Sequence, residues 1–104
     1  MERIAFRMKI FKGQADEYQR RHDTIWPGLQ DLLKQNGIHR YSIFLDEQTE
    51  ELFGTLELED PDTLNRLREE PLMRKWWDYM QDIMETNADH SPVTIPLKQV
   101  FFLP

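Results

Sequence analysis

Apolar residues occupy every second position in three separate segments, and this alternation is the strongest constraint on the fold. The segments are residues 3–11, 38–46 and 52–58, and the first carries Ile4, Phe6, Met8 and Ile10. A period of two is typical of a β-strand with one face buried. The polar turn that separates the second and third segments is short, so these two strands are predicted to form an antiparallel hairpin.

Two segments with helical apolar spacing lie between the strands. Residues 15–36 are predicted to be helical and to end at Asn36-Gly37. Because Pro27 removes a backbone donor and clashes with the preceding turn, we expect a kink or break near Trp26. A second helical region is predicted to start at Asp60-Pro61, with Asp as the cap and Pro at the first helical position.

The C-terminal part of the chain is predicted to contain a helix, a loop and a final strand. Pro71 interrupts the second helical region, and the stronger helix is expected over residues 72–84. Residues 87–96 contain two prolines and no periodicity, which favours a loop. Residues 97–103 are predicted to form the last strand.

The resulting order, β-α-β-β-α-β, is the ferredoxin-like pattern of an α+β fold. Its 104 residues are predicted to form one domain, residues 1–104. Two helices cover only one face of such a sheet. A mostly apolar second face and a surplus of aromatic residues suggest that two sheets face each other in a homodimer, as a dimeric α+β barrel.

Charge and composition exclude several classes of partner. With a formal net charge of −6 and no basic stripe, the chain is not expected to bind nucleic acid. No apolar run approaches the roughly 20 residues needed to span a membrane, and the N-terminus does not resemble a signal peptide. There are no cysteines, which fits a reducing compartment. A soluble, intracellular protein is expected.

Tyr18 and His22 are the first candidates for chemistry. They lie four residues apart, so on a helix their side chains share one face and can approach a common point. Imidazole titrates near neutral pH and is suited to general acid–base catalysis. The alternative is an ordinary surface helix, since Gln19, Arg20 and Arg21 surround the pair.

Trp76, Trp77 and Tyr41 are the second group of candidates. Adjacent helical residues point about 100° apart, so one indole can be in the core while the other borders a cavity. Both indoles can equally be packing residues, and Tyr41 can equally be an edge-strand residue with a solvated hydroxyl. Tyr41 is predicted to share a strand face with Ile43 and Leu45. His39 has the same parity, but it lies near the start of the strand and is expected to be solvated. The polar loop around His90 leaves its role undetermined.

No motif supports a metal site or a nucleotide site. The three histidines, His22, His39 and His90, have no metal-binding spacing, and the chain lacks a phosphate-binding glycine loop and a nucleophile elbow. Without these groups, we expect cofactor-free proton transfer on a small neutral ligand.

At these residues the chain resembles the L-rhamnose mutarotase family, over essentially its whole length. Five stretches carry the resemblance: EYQRRH with IWP at 17–27, HRYSIFLD at 39–46, WWDYM at 76–80, DHSPV at 89–93 and VFFLP at 100–104. One departure is the loop Asn87-Ala88-Asp89-His90, where the family often has Asn next to the Ser-Pro. His90 is therefore a variable element and is not expected to be catalytic.

The resemblance implies a dimeric, cofactor-free cytoplasmic isomerase that interconverts the α and β anomers of L-rhamnose in rhamnose catabolism. It implies that His22 is the proton donor and that Tyr18, Tyr41, Trp76 and Trp77 bind the sugar. Ring opening needs a proton delivered to the ring oxygen and another removed from the anomeric hydroxyl. Neutral His22 cannot donate a net proton, so it is expected to be partly protonated or to donate its N–H in a hydrogen bond.

Two other functions remain open from the sequence. Another protein of the dimeric α+β barrel class, such as a cofactor-independent monooxygenase or a haem-degrading enzyme, could share the fold. A non-enzymatic sugar-binding module could share the pocket. The general base, the sugar-stacking tryptophan and the role of Asp78 are not determined by the sequence.

Overall fold

The computed structural model describes residues 1–104 and contains four strands and four helices. In chain order these are β1 Glu2–Lys9, α1 Ala15–Asp23, α2 Pro27–Gln35, β2 Ile38–Asp46, β3 Glu51–Leu58, α3 Thr63–Leu67, α4 Pro71–Met80 and β4 Ile95–Leu97. The strands form one antiparallel sheet in the order β2-β3-β1-β4. This is the predicted ferredoxin-like arrangement, with each helical segment divided in two. No helix has the length and apolar character needed to cross a membrane.

The register of the central strands separates a helix-covered face from an open face. Met8 pairs with Leu52 and Phe6 pairs with Gly54, and these residues face the helices. Leu52, Leu56 and Leu58 alternate with half-buried residues along β3, as the period of two predicts. The larger core cluster joins this face to residues of α1, α2 and α4. The sheet therefore supports the helices that carry Tyr18, His22 and Trp76.

The predicted interruption near Trp26 is confirmed, and it is a complete break. Trp26 has an extended backbone (φ −59°, ψ 128°), and Pro27 is the first residue of α2. A residue before proline is biased away from the helical region, while proline itself is well tolerated at a helix start. The break separates α1 from α2, so the two helices need not share one axis.

Three predicted boundaries are wrong: the start of the second helical region, the end of α4 and the extent of the last strand. Pro61 is not the first residue of a helix, because the Asp60 carboxylate accepts the Asp62 N–H at 2.9 Å and forms a turn; α3 begins at Thr63. The helix predicted over 72–84 ends at Met80, since Met84 pairs with Ile10 at the end of β1.

The final strand is also shorter than predicted, covering Ile95–Leu97 instead of 97–103. Leu97 pairs with Ala5, and β1 begins at Glu2, so a longer β4 would soon run past its partner. The apolar residues that follow have no strand partner in the chain and are exposed: Val100, Phe101, Phe102 and Leu103.

Candidate active site

Helix α1 brings Tyr18 and His22 together. Their rings stack with centroids 4.3 Å apart and planes inclined by 26°. Tyr18 is only 8% exposed, so this face of α1 packs inward although Arg20 lies on its solvent side. Helix α1 is therefore a surface helix whose inward face carries the Tyr18–His22 pair.

The protonation pattern of His22 follows from one hydrogen bond. Its Nδ1 lies 3.0 Å from the Tyr18 carbonyl oxygen, one helical turn earlier. A carbonyl oxygen only accepts, so Nδ1 carries the hydrogen and Nε2 has the lone pair in the neutral ring. Burial lowers the pKa of His22, and the Tyr18 carbonyl and the charge of Asp23 oppose this shift. At neutral pH the neutral ring therefore dominates.

Tyr18 contributes a hydroxyl that is free of protein partners. Burial raises the pKa of Tyr18, and nearby Tyr41 raises it further, so the phenol stays protonated at physiological pH. Its hydroxyl makes no hydrogen bond within the protein and is not sealed from solvent. Since Tyr18 lines the cavity described below, this hydroxyl is available to a bound molecule.

A β-bulge places Tyr41 on the helix-covered side of the sheet. His39 pairs with Glu57 and Ser42 pairs with Thr55, so two residues of β2 lie opposite one residue of β3. Arg40 absorbs the irregularity with φ at 47°. Bulges of this kind are common beside active sites, where they redirect a side chain.

His39 lies at the protein surface, as expected from its place near the start of the strand, and the bulge accounts for this position. By simple alternation His39 and Tyr41 would share a face, but the extra residue reverses the parity between them. His39 pairs with the Glu59 carboxylate at the protein surface. Tyr41 instead contacts the ring of Phe6 edge-on, with centroids 6.2 Å apart.

The Tyr41 hydroxyl is the second free phenol of the site. Burial raises its pKa to about 12, so it too is a neutral donor. The residue as a whole is 40% exposed, and it lines the cavity with Tyr18. The ring is partly exposed because it lines a cavity that solvent can enter. The protein around that cavity still removes most of the water from the hydroxyl, which is why its pKa is raised.

The two tryptophans of α4 occupy different environments. Trp76 is 6% exposed and contacts the rings of His22 and Trp26 edge-on, at centroid distances of 5.4 and 5.1 Å. Trp77 is half-buried and packs at the edge of the same core. Both line the cavity, but Trp77 retains more accessible ring surface.

A cavity of about 1330 Å³ connects these residues, and its wall extends to open-face residues such as Phe44 and Leu97. A smaller compartment of about 70 Å³ shares most of its wall with that cavity and contains all five candidate site residues. Its polar or aromatic wall consists of Tyr18, His22, Tyr41, Trp76, Trp77 and His90. No three His, Asp or Glu side chains are arranged to hold a metal ion.

His90 belongs to this compartment, which its sequence position did not reveal. It follows α4 in a loop that folds back beside the helix, and its Nδ1 lies 2.7 Å from an Asp78 carboxylate oxygen. Asp78 directly follows the two tryptophans. The only signal in the sequence was the composition of a polar loop, which cannot show where the loop packs.

Comparison with known proteins assigns the chain to a family. The family model described as "L-rhamnose mutarotase" matches residues 3–103. An L-rhamnose mutarotase of Sinorhizobium fredii is 55% identical over 103 residues, which cover 99% of each chain. One of Brucella anthropi is 52% identical over 99% of this chain and 97% of its own. The chain belongs to the L-rhamnose mutarotase family.

Solved structures agree with this family and with the fold. The crystal structure of an L-rhamnose mutarotase from Formosa agariphila matches all of both chains with a TM-score of 0.93 and 47% identity. An antibiotic biosynthesis monooxygenase covers 96% of this chain with a TM-score of 0.53 and 11% identity, which shows a shared fold alone. The predicted mutarotase resemblance and the ferredoxin-like fold are therefore confirmed.

Proposed function

We propose that this chain is an isomerase that interconverts the α and β anomers of L-rhamnose, as the names of its relatives imply. The observation that carries the proposal is the stacked Tyr18–His22 pair in a cavity with two unpartnered phenol groups, in a member of this family. Opening and reclosing the sugar ring requires proton transfer between oxygen atoms and no change of oxidation state. Positioned acid–base groups are sufficient for such a reaction.

We propose that His22 is the proton donor to the ring oxygen. Its Nδ1–H is engaged by the Tyr18 carbonyl, so a neutral His22 has no second N–H to offer a ligand. Of the two forms that the sequence left open, this geometry favours the imidazolium, which donates from Nε2. Because burial lowers the pKa of His22, the imidazolium is a minor form at neutral pH and is more acidic than an exposed imidazolium.

Tyr18, Tyr41, Trp76 and Trp77 are proposed to bind the sugar. The two phenols stay protonated, so they can donate to hydroxyl oxygens or accept from hydroxyl groups. The more accessible ring of Trp77 is suited to stack on the C–H face of the sugar. Trp76 lies in the wall of the compartment, and its edge-on contact with His22 restricts the His22 ring.

The test is NMR saturation transfer between the two anomeric signals of L-rhamnose, with the wild-type protein and with His22→Ala. We expect exchange well above the buffer rate with the wild type and a reduction of roughly 10²-fold or more for the variant. A wild-type protein that binds rhamnose without accelerating exchange would be a sugar-binding module. Exchange undiminished in His22→Ala would remove His22 from the reaction.

We further propose that a second copy of the chain covers the open sheet face. Phe44 of β2 pairs with Phe53 of β3, and yet Phe44 is 65% exposed on this face. The apolar C-terminal segment is also exposed, and its Phe102 ring lies 4.2 Å from the Arg3 guanidinium carbon of β1. Large exposed apolar patches mark interaction surfaces, and a closed two-fold pairing buries the same patch on both copies.

Sedimentation equilibrium of the wild type and of Phe44→Lys tests the homodimer. We expect a wild-type dimer and a variant shifted to monomer, with Glu47→Lys, which changes charge without removing an apolar group, as the matched control. A monomeric wild type at high micromolar concentration would contradict the proposal. The resemblance also supports a cytoplasmic location, which fractionation of the cells that produce the protein would test.

A further inference from the structure

Trp26 lies at the break between α1 and α2 and packs against α4. Its ring stacks on that of Tyr79, with centroids 5.6 Å apart, and meets the ring of Trp76 edge-on at 5.1 Å. Tyr79 and Trp76 also contact each other, with centroids 5.7 Å apart, so the three rings form a closed triangle. Trp26 is half-buried and lines neither the large cavity nor the compartment. It therefore supports the site without forming part of its wall.

The position of Trp26 depends on the break before Pro27. Tyr18, His22 and Trp26 follow one another at intervals of four residues, so in a continuous helix all three would share one face. Instead α1 ends at Asp23 and Trp26 has an extended backbone. Its ring contacts are then with α4, and not with Tyr18 or His22. The break thus removes a third aromatic side chain from this face and places it against Trp76.

The His22 ring is restricted by three contacts, of which only one comes from another element. Within α1, the ring stacks on Tyr18 at 4.3 Å and Nδ1 bonds to the Tyr18 carbonyl at 3.0 Å. The third contact is the edge-on packing of Trp76 at 5.4 Å. Trp76 is also the one aromatic ring that contacts both His22 and Trp26. A change at Trp26 therefore reaches His22 through Trp76.

The remaining ring of the triangle, Tyr79, is held by α1. The Arg21 guanidinium lies over the Tyr79 ring at 4.4 Å from its centroid, and Nη1 of Arg21 donates to the Tyr79 carbonyl at 2.7 Å. A cation over an aromatic face is attracted to it, so Tyr79 is restrained independently of Trp26. This leaves Trp76 as the ring that gains freedom when the Trp26 side chain is shortened.

We propose that Trp26 is a positioning residue for proton transfer by His22, acting through the indole of Trp76. This inference rests on the proposed mutarotase function and deepens it. Proton transfer requires Nε2 of His22 to lie within hydrogen-bond reach of the sugar ring oxygen. A displacement of about 1 Å in such a geometry can lower a rate by roughly 10²-fold, so a support that lies outside the cavity can still control the reaction.

Trp26→Leu removes the indole and keeps an apolar side chain at the break. We expect kcat for anomer exchange to fall roughly tenfold and KM to change by less than about twofold, because Trp26 does not line the cavity. Trp26→Phe keeps a smaller aromatic ring beside Trp76 and should lose only about threefold in kcat. It is also the variant that carries the test if Trp26→Leu does not fold.

The orientation of His22 is measured directly by NMR. The chain has three histidines, and the signal of the His22 carbon-bound proton between the two ring nitrogens is identified by its absence from His22→Ala. Ring currents of Tyr18 and Trp76 set the position of this signal, and they depend on how the rings are oriented. Trp26→Leu should therefore move the signal, and Trp26→Phe should move it less.

Leu58→Ala is the matched control for lost core packing. Leu58 is 2% exposed, belongs to the core cluster with Ile38 and Leu67, and lines neither the cavity nor the compartment. Its truncation should lower Tm, because a buried side chain is replaced by a void. It should leave kcat and the His22 signal unchanged.

The outcomes separate this inference from the function on which it rests. A wild type that exchanges anomers while folded Trp26 variants keep wild-type kcat or the wild-type His22 signal would overturn the positioning role and leave the mutarotase function intact. A loss of kcat in Leu58→Ala equal to that in Trp26→Leu would also overturn it, and so would a rise in KM without a fall in kcat. A wild type without exchange would overturn the proposed function, whereas the His22 signal of Trp26→Leu would still test the contact through Trp76.

Discussion

The ring of His22 lies over the ring of Tyr18 and donates Nδ1–H to the backbone carbonyl of the same tyrosine. One residue therefore fixes both the orientation and the tautomer of the proposed acid. The side chain of Tyr18 is not needed for that hydrogen bond, so its hydroxyl and the His22 tautomer can be tested separately.

Tyr18→Phe should weaken sugar binding and leave stability almost unchanged. The hydroxyl has no protein partner, so its loss removes no internal hydrogen bond. A hydrogen bond to the sugar contributes about 0.5–1.5 kcal/mol, which corresponds to a KM increase of up to roughly tenfold. KM from anomer exchange and the urea midpoint measure the two effects. A large loss of stability with unchanged KM would assign Tyr18 to packing alone.

The rate of exchange should depend on pH through His22. Burial places the pKa of His22 below its usual value near 6.5, despite the opposing effects of the Tyr18 carbonyl and Asp23. Above that pKa the imidazolium fraction falls tenfold for each pH unit, so a rate limited by this acid falls as pH rises. The profile of kcat, corrected for buffer catalysis, tests this expectation, and His22→Asn should lack the same limb. A kcat that instead rises to a plateau through this range would make neutral His22 the base.

Arg21 should stabilise the fold more than its neighbour Arg20. Its side chain is 9% exposed and bonds to Glu17, to Asp82 and to the Tyr79 carbonyl, which links α1 to the end of α4. Hydrogen bonds to charged groups contribute about 1.5–3 kcal/mol, so Arg21→Met should lower the free energy of unfolding by about that amount. Arg20→Met, which removes a 60% exposed side chain from the same Glu17, should cost much less.

The contribution of Arg21 to stability should decrease in acid. The Arg20 and Arg21 guanidinium groups lower the pKa of Glu17 to about 2, and Arg21 also lowers that of Asp82. A carboxyl whose folded-state pKa is depressed stabilises the fold fully above its unfolded pKa, and this contribution is lost as pH falls through the folded pKa. Urea unfolding of wild type and Arg21→Met at pH 6 and pH 3 should show a smaller difference at pH 3. An unchanged difference would mean that packing, not charge, accounts for it.

Gly54 should tolerate no side chain. A Cβ at this position would lie 2.6 Å from the ring of Phe6, the same ring that contacts Tyr41. Gly54→Ala should therefore lower stability by about 1–3 kcal/mol, as overpacking does, and displace Tyr41 enough to raise KM. Gly28→Ala is the control, because its nearest neighbour is a single Leu72 methyl at 3.3 Å; its Tm should equal or exceed that of the wild type. A Gly54→Ala protein with wild-type Tm and KM would contradict this packing.

The sequence by itself determined the element order, the strand faces and the family. Period-two alternation in β1 and β3 needs only local chemistry, and the break before Pro27 follows from the proline ring. The four-residue spacing of Tyr18 and His22 likewise fixed their common face, because a helix has 3.6 residues per turn. Such features depend on neighbours within a few positions.

Only the tertiary structure decided which residues meet across the compartment. The bulge at Arg40 keeps His39 off the helix-covered face that Tyr41 shares with Ile43, because one extra residue reverses the parity of the side chains on its two sides. The length of β4 depended on where β1 begins, and the fold of the 87–91 loop placed His90 beside Asp78. These outcomes depend on contacts between distant segments, which no local pattern encodes.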